Sequence, residues 1–309
     1  MNKLYVFGHT KPDTDSIASA IVFARLQKAL GIDAVAYKLG EVNKETKYAL
    51  KTFEVEEPQT LTSVDENCDV ALVDNNEFSQ SVSGIEKAHV KMVVDHHKIK
   101  LETVEPIYFI TEPLGCTCTI LYKLYKLYKQ NEVDIDSQTA GLMLSAIISD
   151  TLLFKSPTCT EQDKEIAKKL AKIAGVDIES YGKEMLKAGT DISDFTPFQV
   201  INIDSKEFND KNAKFEISQV NAVDLDSVFS RQSELEDAIN KEIKEKNLDF
   251  YMFAATDILN ANSKIIAIGN KADTVEKAFG VNLENNTAML NNVVSRKKQM
   301  LPNILNNLN

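Results

Sequence analysis

Short apolar runs rich in β-branched residues alternate with longer helical patterns through the first half of this chain of 309 residues. Parallel strands need long crossover connections, so this alternation is typical of a mostly parallel sheet flanked by helices. The predicted strands are Leu4–Gly8, Ala34–Leu39, Asp69–Asp74, Val90–Asp95 and Ile107–Thr111. The first half of the chain is therefore expected to form an α/β domain.

The helical patterns have apolar residues at the spacing of one helix face. Their predicted extents are Ser16–Leu30, Thr117–Gln130, Ser137–Leu152 and Glu161–Ala174. At the amino end of the first helix we expect Asp15 or Ser16 to be the cap, and we expect Gly31 to end the helix.

A stretch of small and polar residues from Ala188 to Asp194 separates this half from a new series of elements. The elements predicted after it are strands Lys214–Val220, Tyr251–Ile258 and Lys264–Gly269 and a long charged helix, Ser227–Lys246. A chain of 309 residues is long for a single core. We therefore expect a first domain over residues 1–188, a hinge linker over 189–194, and a smaller mixed α/β domain over 195–309.

Charge and composition exclude several classes of function. The net charge of −11 disfavours binding of duplex nucleic acid. The longest apolar stretch, from about Met143 to Phe154, is interrupted by polar residues and is too short to span a bilayer. No basic-then-apolar leader precedes the first strand, so a cytoplasmic protein is expected. Cys116 and Cys118 are interpreted as buried small side chains, because no second cysteine pair lies near them.

Three of the four histidines fall beside carboxylates at the ends of predicted strands, where open α/β sheets bind ligands. The residues at these ends are His9, Asp13, Asp15, Asp74, Asp95, His96 and His97. Asp150 lies in an otherwise apolar helix end, where an unpaired carboxylate would be costly to bury. The fourth histidine, His89, precedes its strand and is interpreted as structural or exposed.

Taken singly, each of these side chains has an ordinary explanation as a packed polar residue, a helix cap or a salt-bridged group. Together they indicate a metal site, because several carboxylates in one crevice repel one another unless cations are bound there. Imidazole among carboxylates favours Mn, Fe, Co or Zn over Mg. The pattern therefore predicts a two-metal hydrolytic site.

The segments His9–Ser16, Val73–Glu77 and Asp95–His97 resemble the motifs of the DHH phosphoesterase superfamily. The segments Ser149–Thr158 and Ser295–Gln299 resemble its family II, the manganese-dependent inorganic pyrophosphatases. The resemblance covers essentially the whole chain and implies a DHH domain followed by a DHHA2-type domain. It also implies hydrolysis of inorganic pyrophosphate to two phosphates, for which we expect in-line attack by a metal-bridging hydroxide.

The resemblance further implies a role for individual residues. One metal ion would be bound by His9, Asp13, Asp74 and Asp150, and the other by Asp15, His96, Asp74 and Asp150. Substrate would be bound by His97, Lys206, Ser295, Arg296 and Lys297, and the catalytic set would be Asp74, Asp150, His97, Lys206 and Arg296. The implied cofactors are two Mn²⁺ ions, with Co²⁺ as a substitute, and additional Mg²⁺ or Mn²⁺ arriving with the pyrophosphate. A homodimer is also implied.

Two alternatives stay open at this point. One is a short-chain exopolyphosphatase, oligonucleotide phosphatase or nuclease of the same superfamily, although the chain has no Gly-Gly pair of the kind those nucleases usually carry. The other is a non-catalytic metal- or nucleotide-sensing protein with the same fold. One departure from the family pattern is Asn75, where the family more often has His. We expect this change to alter the support of Asp74 and the affinity for metal.

Overall fold

The computed structural model describes residues 3–128, 133–210 and 212–308. The chain divides into two compact units, Met1–Gly189 and Thr190–Asn309. None of the helices in the described ranges is long and apolar enough to cross a membrane.

The sheet of the first unit has six strands, all paired in parallel. These are β1 (Leu4–Phe7), β2 (Ala34–Lys38), β3 (Gln59–Thr60), β4 (Asp69–Val73), β5 (His89–Asp95) and β6 (Tyr108–Thr111). Their order is β3-β2-β1-β4-β5-β6, with β1 and β4 in the middle. The predicted parallel sheet is confirmed, and the short, exposed β3 is the one strand that the apolar pattern did not reveal.

Strand β4 shows why the sequence folds in this way. Its residues Val70, Ala71, Leu72 and Val73 are all 0% exposed. A strand buried on both faces reads as a continuous apolar run, as is typical of a parallel sheet covered by helices. The helices of this unit are α1 (Thr14–Ala29), α2 (Lys44–Thr52), α3 (Thr117–Leu127), α4 (Ser137–Thr151), α5 (Glu161–Ala174) and α6 (Ile178–Gly189), of which α1 and α3 pack directly against strands.

The predicted cap of α1 is wrong. Asp13 is the N-cap, in an extended conformation, and its carboxylate accepts a hydrogen bond from the backbone N–H of Ser16 at 3.0 Å. Asp15 already lies in the first turn of the helix, and its carboxylate accepts hydrogen bonds from Ser19 and from the amino end of α3. The predicted end of α3 at Gln130 lies outside the described residues.

The second unit contains a five-stranded sheet in the order β11-β10-β9-β8-β7, which confirms the predicted mixed α/β domain, although only β8, β9 and β10 were predicted. Its strands are β7 (Ser205–Asn209), β8 (Lys214–Ala222), β9 (Phe250–Asp257), β10 (Asn262–Gly269) and β11 (Thr287–Asn291). Only the β8–β9 pairing is parallel. The helices are α7 (Pro197–Asn202), α8 (Leu225–Phe229), α9 (Gln232–Lys246), α10 (Asp273–Phe279) and α11 (Leu301–Leu305), with a π-helical turn, Arg296–Met300, before α11.

Strand β9 is buried along its whole length and carries two apolar cores, one on each face. Tyr251 and Phe253 belong to the core that includes α9, whereas Phe250 and Met252 belong to the core that includes α10 and α11. This division follows from the two-residue period of a strand.

The prediction of one long helix over Ser227–Lys246 is wrong in one respect, because the structure has two helices there, α8 and α9. Helix α8 ends at Phe229, and Arg231 has the non-helical angles φ −104° and ψ 18°. The guanidinium of Arg231 donates to the backbone carbonyl of Phe195 at 3.0 Å, which holds the chain at this break.

Candidate active site

The sheet order explains how residues distant in sequence meet at one site. Strands β1, β4 and β5 are neighbours, and the segments that follow them carry His9, Asp74 and His96 at the same edge of the sheet. The start of α1 and the end of α4 complete the set. Among the groups able to hold a metal ion are His9 with Asp13 and Asp74, and Asp15 with Asp74, His96 and Asp150.

In the first cluster, the Nε2 atom of His9 lies 3.4 Å from Oδ2 of Asp13 and 3.5 Å from Oδ2 of Asp74. The Nδ1 atom of His9 lies 2.9 Å from the carbonyl oxygen of Thr10. A proton on Nδ1 donated to this carbonyl leaves Nε2 as the metal-binding nitrogen. The other oxygen of Asp13 caps α1, so one carboxylate serves both the helix and the cluster.

The second cluster repeats this arrangement. The Nε2 atom of His96 lies 3.5 Å from Oδ1 of Asp74 and 3.6 Å from Oδ2 of Asp150. Its Nδ1 atom lies 3.0 Å from the carbonyl oxygen of Leu114. Nε2 is buried and has no hydrogen-bond partner among the described residues. A buried nitrogen that faces two carboxylates in this way fits a metal ligand.

Asp74 belongs to both clusters. Its Oδ2 faces His9 and its Oδ1 faces His96, which is the arrangement expected of a carboxylate that bridges two ions. The backbone of Asp74 has a φ of 52°, a left-handed conformation that turns the chain sharply at the end of β4. The hydroxyl of Thr117 donates to Oδ1 at 3.1 Å and fixes the carboxylate.

Asp15 is held by the amino end of α3. Its Oδ2 accepts from the backbone N–H of Thr117 at 2.7 Å, and its Oδ1 accepts from the N–H of Cys118 at 3.2 Å and from the hydroxyl of Ser19 at 2.8 Å. Cys116 and Cys118 are fully buried beside it. Burial raises the pKa of the Cys118 thiol to about 11, so this side chain is protonated at neutral pH.

The protonation equilibria of the site reflect its excess of carboxylates. Burial lowers the pKa of His9, but hydrogen bonds with Asp13 and Asp74 outweigh burial and raise this pKa to about 11. His96 responds in the same way to Asp74 and Asp15, and its pKa rises to about 9. Burial and the charges of Asp15 and Asp74 raise the pKa of Asp150 well above its usual range. A site that raises these pKa values favours positive charge, so its mixed nitrogen and oxygen donors fit divalent transition metals.

The imidazole of His97 is hydrogen-bonded to Asp95, and its Nδ1 atom also lies 3.6 Å from Oδ1 of Asp74. Its Nδ1 atom lies 2.9 Å from Oδ1 of Asp95, and this hydrogen bond raises the pKa of His97. The side chain is 55% exposed. Together with His9, Asp74 and Lys98, it lines a cavity of about 160 Å³.

The predicted substrate residues of the second unit lie close to one another within that unit. Lys206 on β7 pairs with Ile217, whose carbonyl oxygen is 3.4 Å from Nη1 of Arg296. Nη1 also donates to the carbonyl of Asp204 at 2.5 Å, and Nη2 lies 2.7 Å from Oδ1 of Asp204. Lys297 is exposed in the same segment. The hydroxyl of Ser295 accepts the backbone N–H of Lys298 at 3.2 Å, so it caps the turn that carries these cations.

The sequence did not reveal the groups that support the ligands. Thr117 and the carbonyl of Leu114 belong to a segment with no acidic or histidine signal. Glu45 is another such group, because its Oε1 accepts hydrogen bonds from Thr14 at 2.7 Å and from Ser149 at 2.5 Å. The two hydroxyl residues are chain neighbours of Asp15 and Asp150. Only the three-dimensional fold brings these supports to the site.

Comparisons with known proteins match both units of the chain to known domain families. A model of the DHH family, N-terminal domain, matches residues 3–147, and a model of the DHHA2 domain matches residues 183–307. The manganese-dependent inorganic pyrophosphatase of Bacillus subtilis (strain 168) is 55% identical over 304 residues, which cover 98% of this chain and 97% of that protein. A relative from Bacillus velezensis is also 55% identical over 304 residues.

Among solved structures, a chain from Methanococcus jannaschii assigned to the family II inorganic pyrophosphatases is 40% identical to this chain. Its TM-score is 0.63, and 99% of both chains is covered. This level of identity covers nearly the full length of the chain and therefore includes both units. The chain therefore belongs to the family of manganese-dependent, or family II, inorganic pyrophosphatases, which combine a DHH domain with a DHHA2 domain.

Proposed function

We propose that this chain hydrolyses inorganic pyrophosphate to two phosphates in a manganese-dependent reaction. The observation that carries the proposal is the division of the Asp74 carboxylate between two clusters, with Oδ2 facing His9 and Oδ1 facing His96. This arrangement suits a pair of ions, and pairs of ions are typical of enzymes that cleave phosphoesters and phosphoanhydrides. Full-length similarity to a manganese-dependent inorganic pyrophosphatase supports the choice of substrate.

The resident cofactors in this proposal are two Mn²⁺ ions, for which Co²⁺ can substitute. The proposed ligands are His9, Asp13, Asp15, Asp74, His96 and Asp150. When bound, the ions supply Lewis-acid activation of water and neutralise phosphate charge. Further Mg²⁺ or Mn²⁺ would arrive with pyrophosphate, because the substrate itself is highly anionic.

The chain's own cations have a separate task in this proposal. His97, Lys206, Arg296 and Lys297 would bind the phosphate groups and stabilise the charge that develops on the leaving phosphate. Arg296 suits this task because Asp204 and two carbonyls already hold its Nη1 and Nη2 groups. Among the residues that the structure describes, none accepts from its Nε–H or its second Nη2–H, which suit a forked contact with phosphate oxygens.

A substrate comparison tests the proposal. Phosphate release from pyrophosphate, tripolyphosphate and a dinucleotide would be measured side by side with Mn²⁺, and pyrophosphate is expected to be the preferred substrate. Asp74→Asn, which weakens a ligand of both clusters, should abolish most of the activity. Preference for the dinucleotide or tripolyphosphate would favour another activity of the superfamily, and no turnover with Mn²⁺ or Co²⁺ would favour a binding protein.

We also propose a homodimer formed by the first unit. Strand β6 is the last strand of its sheet, so one of its backbone edges pairs with no other described strand. Tyr108 on this strand is 45% exposed. Pairing with β6 of a second copy would satisfy this edge and cover the aromatic ring. Sedimentation with and without Mn²⁺ tests the dimer, and a Tyr108→Lys variant should shift the protein toward monomer.

A cytoplasmic location and a lack of nucleic-acid binding stay predictions from the sequence. Cell fractionation would test the first prediction. A binding measurement with duplex and single-stranded DNA at low salt would test the second, because low salt favours any electrostatic contact with phosphates.

A further inference from the structure

Asn75 has a polar group that the fold leaves without a partner. The residue follows Asp74 at the end of β4 and is 4% exposed. Its carbonyl Oδ1 accepts a hydrogen bond from the backbone N–H of Glu77 at 2.9 Å, which fixes the orientation of the amide. Its Nδ2 is buried and has no hydrogen-bond partner among the described residues. Buried amide donors are nearly always paired, so this one calls for an explanation.

The neighbouring Asn76 shows that the local fold is able to satisfy a buried amide. Its Nδ2 donates to Oδ2 of Asp95 at 2.5 Å and to the carbonyl of Lys98 at 3.1 Å. Its Oδ1 accepts the backbone N–H of Lys100 at 2.5 Å. Asn76 therefore has a structural task, whereas the donor of Asn75 is spare.

The surroundings of Asn75 indicate what kind of group would accept this hydrogen bond. Asn75 lines the cavity of about 160 Å³ together with His9, Asp74, His97 and Lys98. This volume exceeds the roughly 30 Å³ share of one water molecule. An N–H group cannot bind a cation, so its partner must be an acceptor atom. Lys98 is cationic, but several carboxylates, Asp74 among them, also line the cavity, so an anion fits there once the proposed metal ions neutralise those carboxylates.

We propose that Asn75 is a substrate-binding residue whose Nδ2 donates a hydrogen bond to a phosphate oxygen of pyrophosphate. The inference rests on the proposed function, because it assumes that pyrophosphate occupies this cavity. As a neutral amide, Asn75 offers the same donor at every pH, whereas an imidazole at this position would change its number of donors as it titrates.

The test compares three variants at position 75. Asn75→Asp keeps the shape and the acceptor for Glu77 but replaces the donor with an anionic oxygen. Asn75→Ala removes the donor without adding charge, and Asn75→His restores a ring N–H. The matched control is Gln80→Glu, which adds the same charge at another side chain that lines the cavity. Binding of imidodiphosphate, a non-hydrolysable pyrophosphate analogue, would be measured by calorimetry on the Mn²⁺-loaded proteins, together with Mn²⁺ affinity, KM and kcat.

Asn75→Asp and Asn75→Ala are expected to weaken analogue binding and raise KM about tenfold or more, as loss of a hydrogen bond to a charged group does. Asn75→His should bind the analogue better than either, and Gln80→Glu should lose less affinity than Asn75→Asp. If Asn75→Asp fails to bind Mn²⁺, the Asn75→Ala result decides.

Analogue affinity within about twofold of wild type in Asn75→Ala would overturn the inference. A fall in kcat or in Mn²⁺ affinity with unchanged analogue binding would also overturn it. In that case the Nδ2 donor of Asn75 would bind water or support the proposed metal ligands instead of binding substrate. Wild-type protein is assayed in parallel for pyrophosphate hydrolysis. If the wild-type protein does not hydrolyse pyrophosphate, the proposed function is refuted. A failure of this inference alone would instead leave wild-type hydrolysis intact.

Discussion

The two histidines of the candidate metal clusters are oriented by backbone carbonyls. His9 and His96 each place Nδ1 about one hydrogen-bond length from a carbonyl oxygen, of Thr10 at 2.9 Å and of Leu114 at 3.0 Å. This leaves both Nε2 atoms facing carboxylates. The proposed ligands are therefore held in position by the fold, and such support contributes a large share of the affinity of a metal site.

Thr117 allows this support to be tested at one atom. The side chain is buried, and its hydroxyl donates to Oδ1 of Asp74 while its backbone N–H donates to Asp15. Thr117→Val keeps the shape and the backbone donor but removes the hydroxyl. We expect Mn²⁺ affinity to fall about tenfold or more, as for other residues that hold a metal ligand. Calorimetric titration with Mn²⁺ measures the change.

The control for this prediction is Thr119→Val on the same helix. Thr119 is also buried, and its hydroxyl donates to Oδ1 of Asp163 at 2.6 Å instead of to a metal ligand. This variant should lose thermal stability while it keeps wild-type Mn²⁺ affinity. Equal loss of affinity in the two variants would mean that Thr117 acts only through helix stability.

The sequence indicated the proposed metal ligands more readily than the groups that support them. Histidine and aspartate at strand ends are unusual, and their co-occurrence at His9, Asp74 and His96 carries information even without a structure. Thr117 carries no such information, because threonine is common and its contact with Asp15 joins residues 102 positions apart. Hydrogen bonds from backbone groups depend on the fold alone and have no residue type to indicate them.

Helix α4 carries Asp150, and its position depends on a close approach at Gly141. A Cβ atom on Gly141 would clash with the ring of Phe53, which is 8% exposed. Gly141→Ala should therefore lower the free energy of unfolding by about 1–3 kcal/mol, although alanine normally favours a helix. Chemical denaturation measures this change. The double variant with Phe53→Leu should recover part of the loss, and a more stable Gly141→Ala protein would contradict the prediction.

In the second unit, helix α9 is joined to the sheet by a buried charge network. Lys246 forms ion pairs with Glu216, at 2.8 Å, and with Glu242. Both glutamate side chains are 3% exposed, whereas the lysine side chain is 34% exposed. Lys246→Met should lower the free energy of unfolding by about 2–3 kcal/mol, because it leaves two buried carboxylates without their cation. The matched exposed pair is Lys241 with Glu245, and Lys241→Met should cost under about 0.5 kcal/mol.

The same network predicts a pH dependence. Burial lowers the pKa of Lys246, but hydrogen bonds with Glu216 and Glu242 outweigh burial and raise it above its ordinary value. A cation whose pKa is raised on folding stabilises the folded state fully below its unfolded pKa, about 10.4, and loses this contribution as pH rises through the folded value. The stability difference between wild type and Lys246→Met should stay constant up to about pH 10 and then shrink. A difference that grows at alkaline pH would contradict this assignment.

Elements with a strong apolar pattern were predictable, and those without one were not. The buried run of β4 and the amphipathic α5 follow directly from sequence periodicity, and α5 was predicted with the bounds observed, Glu161–Ala174. Strand β7, which carries Lys206, is largely exposed and reads as polar. The break between α8 and α9 depends on contacts of Arg231 with Phe195, which periodicity does not indicate.

For the whole molecule, the division into two units separates the proposed metal ligands from the predicted cationic phosphate contacts of the second unit. All six proposed ligands lie in the unit Met1–Gly189, whereas Lys206, Arg296 and Lys297 lie in the unit Thr190–Asn309. The net charge of −11 makes local cations necessary for any anionic substrate. The length of the chain indicated two domains, but only the folded structure shows that each unit has its own sheet and core.

This division predicts which unit responds when metal is removed. A ligand that binds only the folded state stabilises it by about 2.7 kcal/mol at a concentration of 100 times its Kd. For a unit of this size that corresponds to a shift in Tm of about 5–10 °C. A chelator should therefore lower the thermal stability of the first unit, and amide hydrogen exchange should increase in β1, β4 and β5.

Two variants serve as controls. Asp74→Asn should show little of this shift in Tm, whereas Lys206→Ala should show all of it. An equal effect of Mn²⁺ on wild type and Asp74→Asn would place the stabilising ions elsewhere, because Asp74 contributes an oxygen to each of the two clusters.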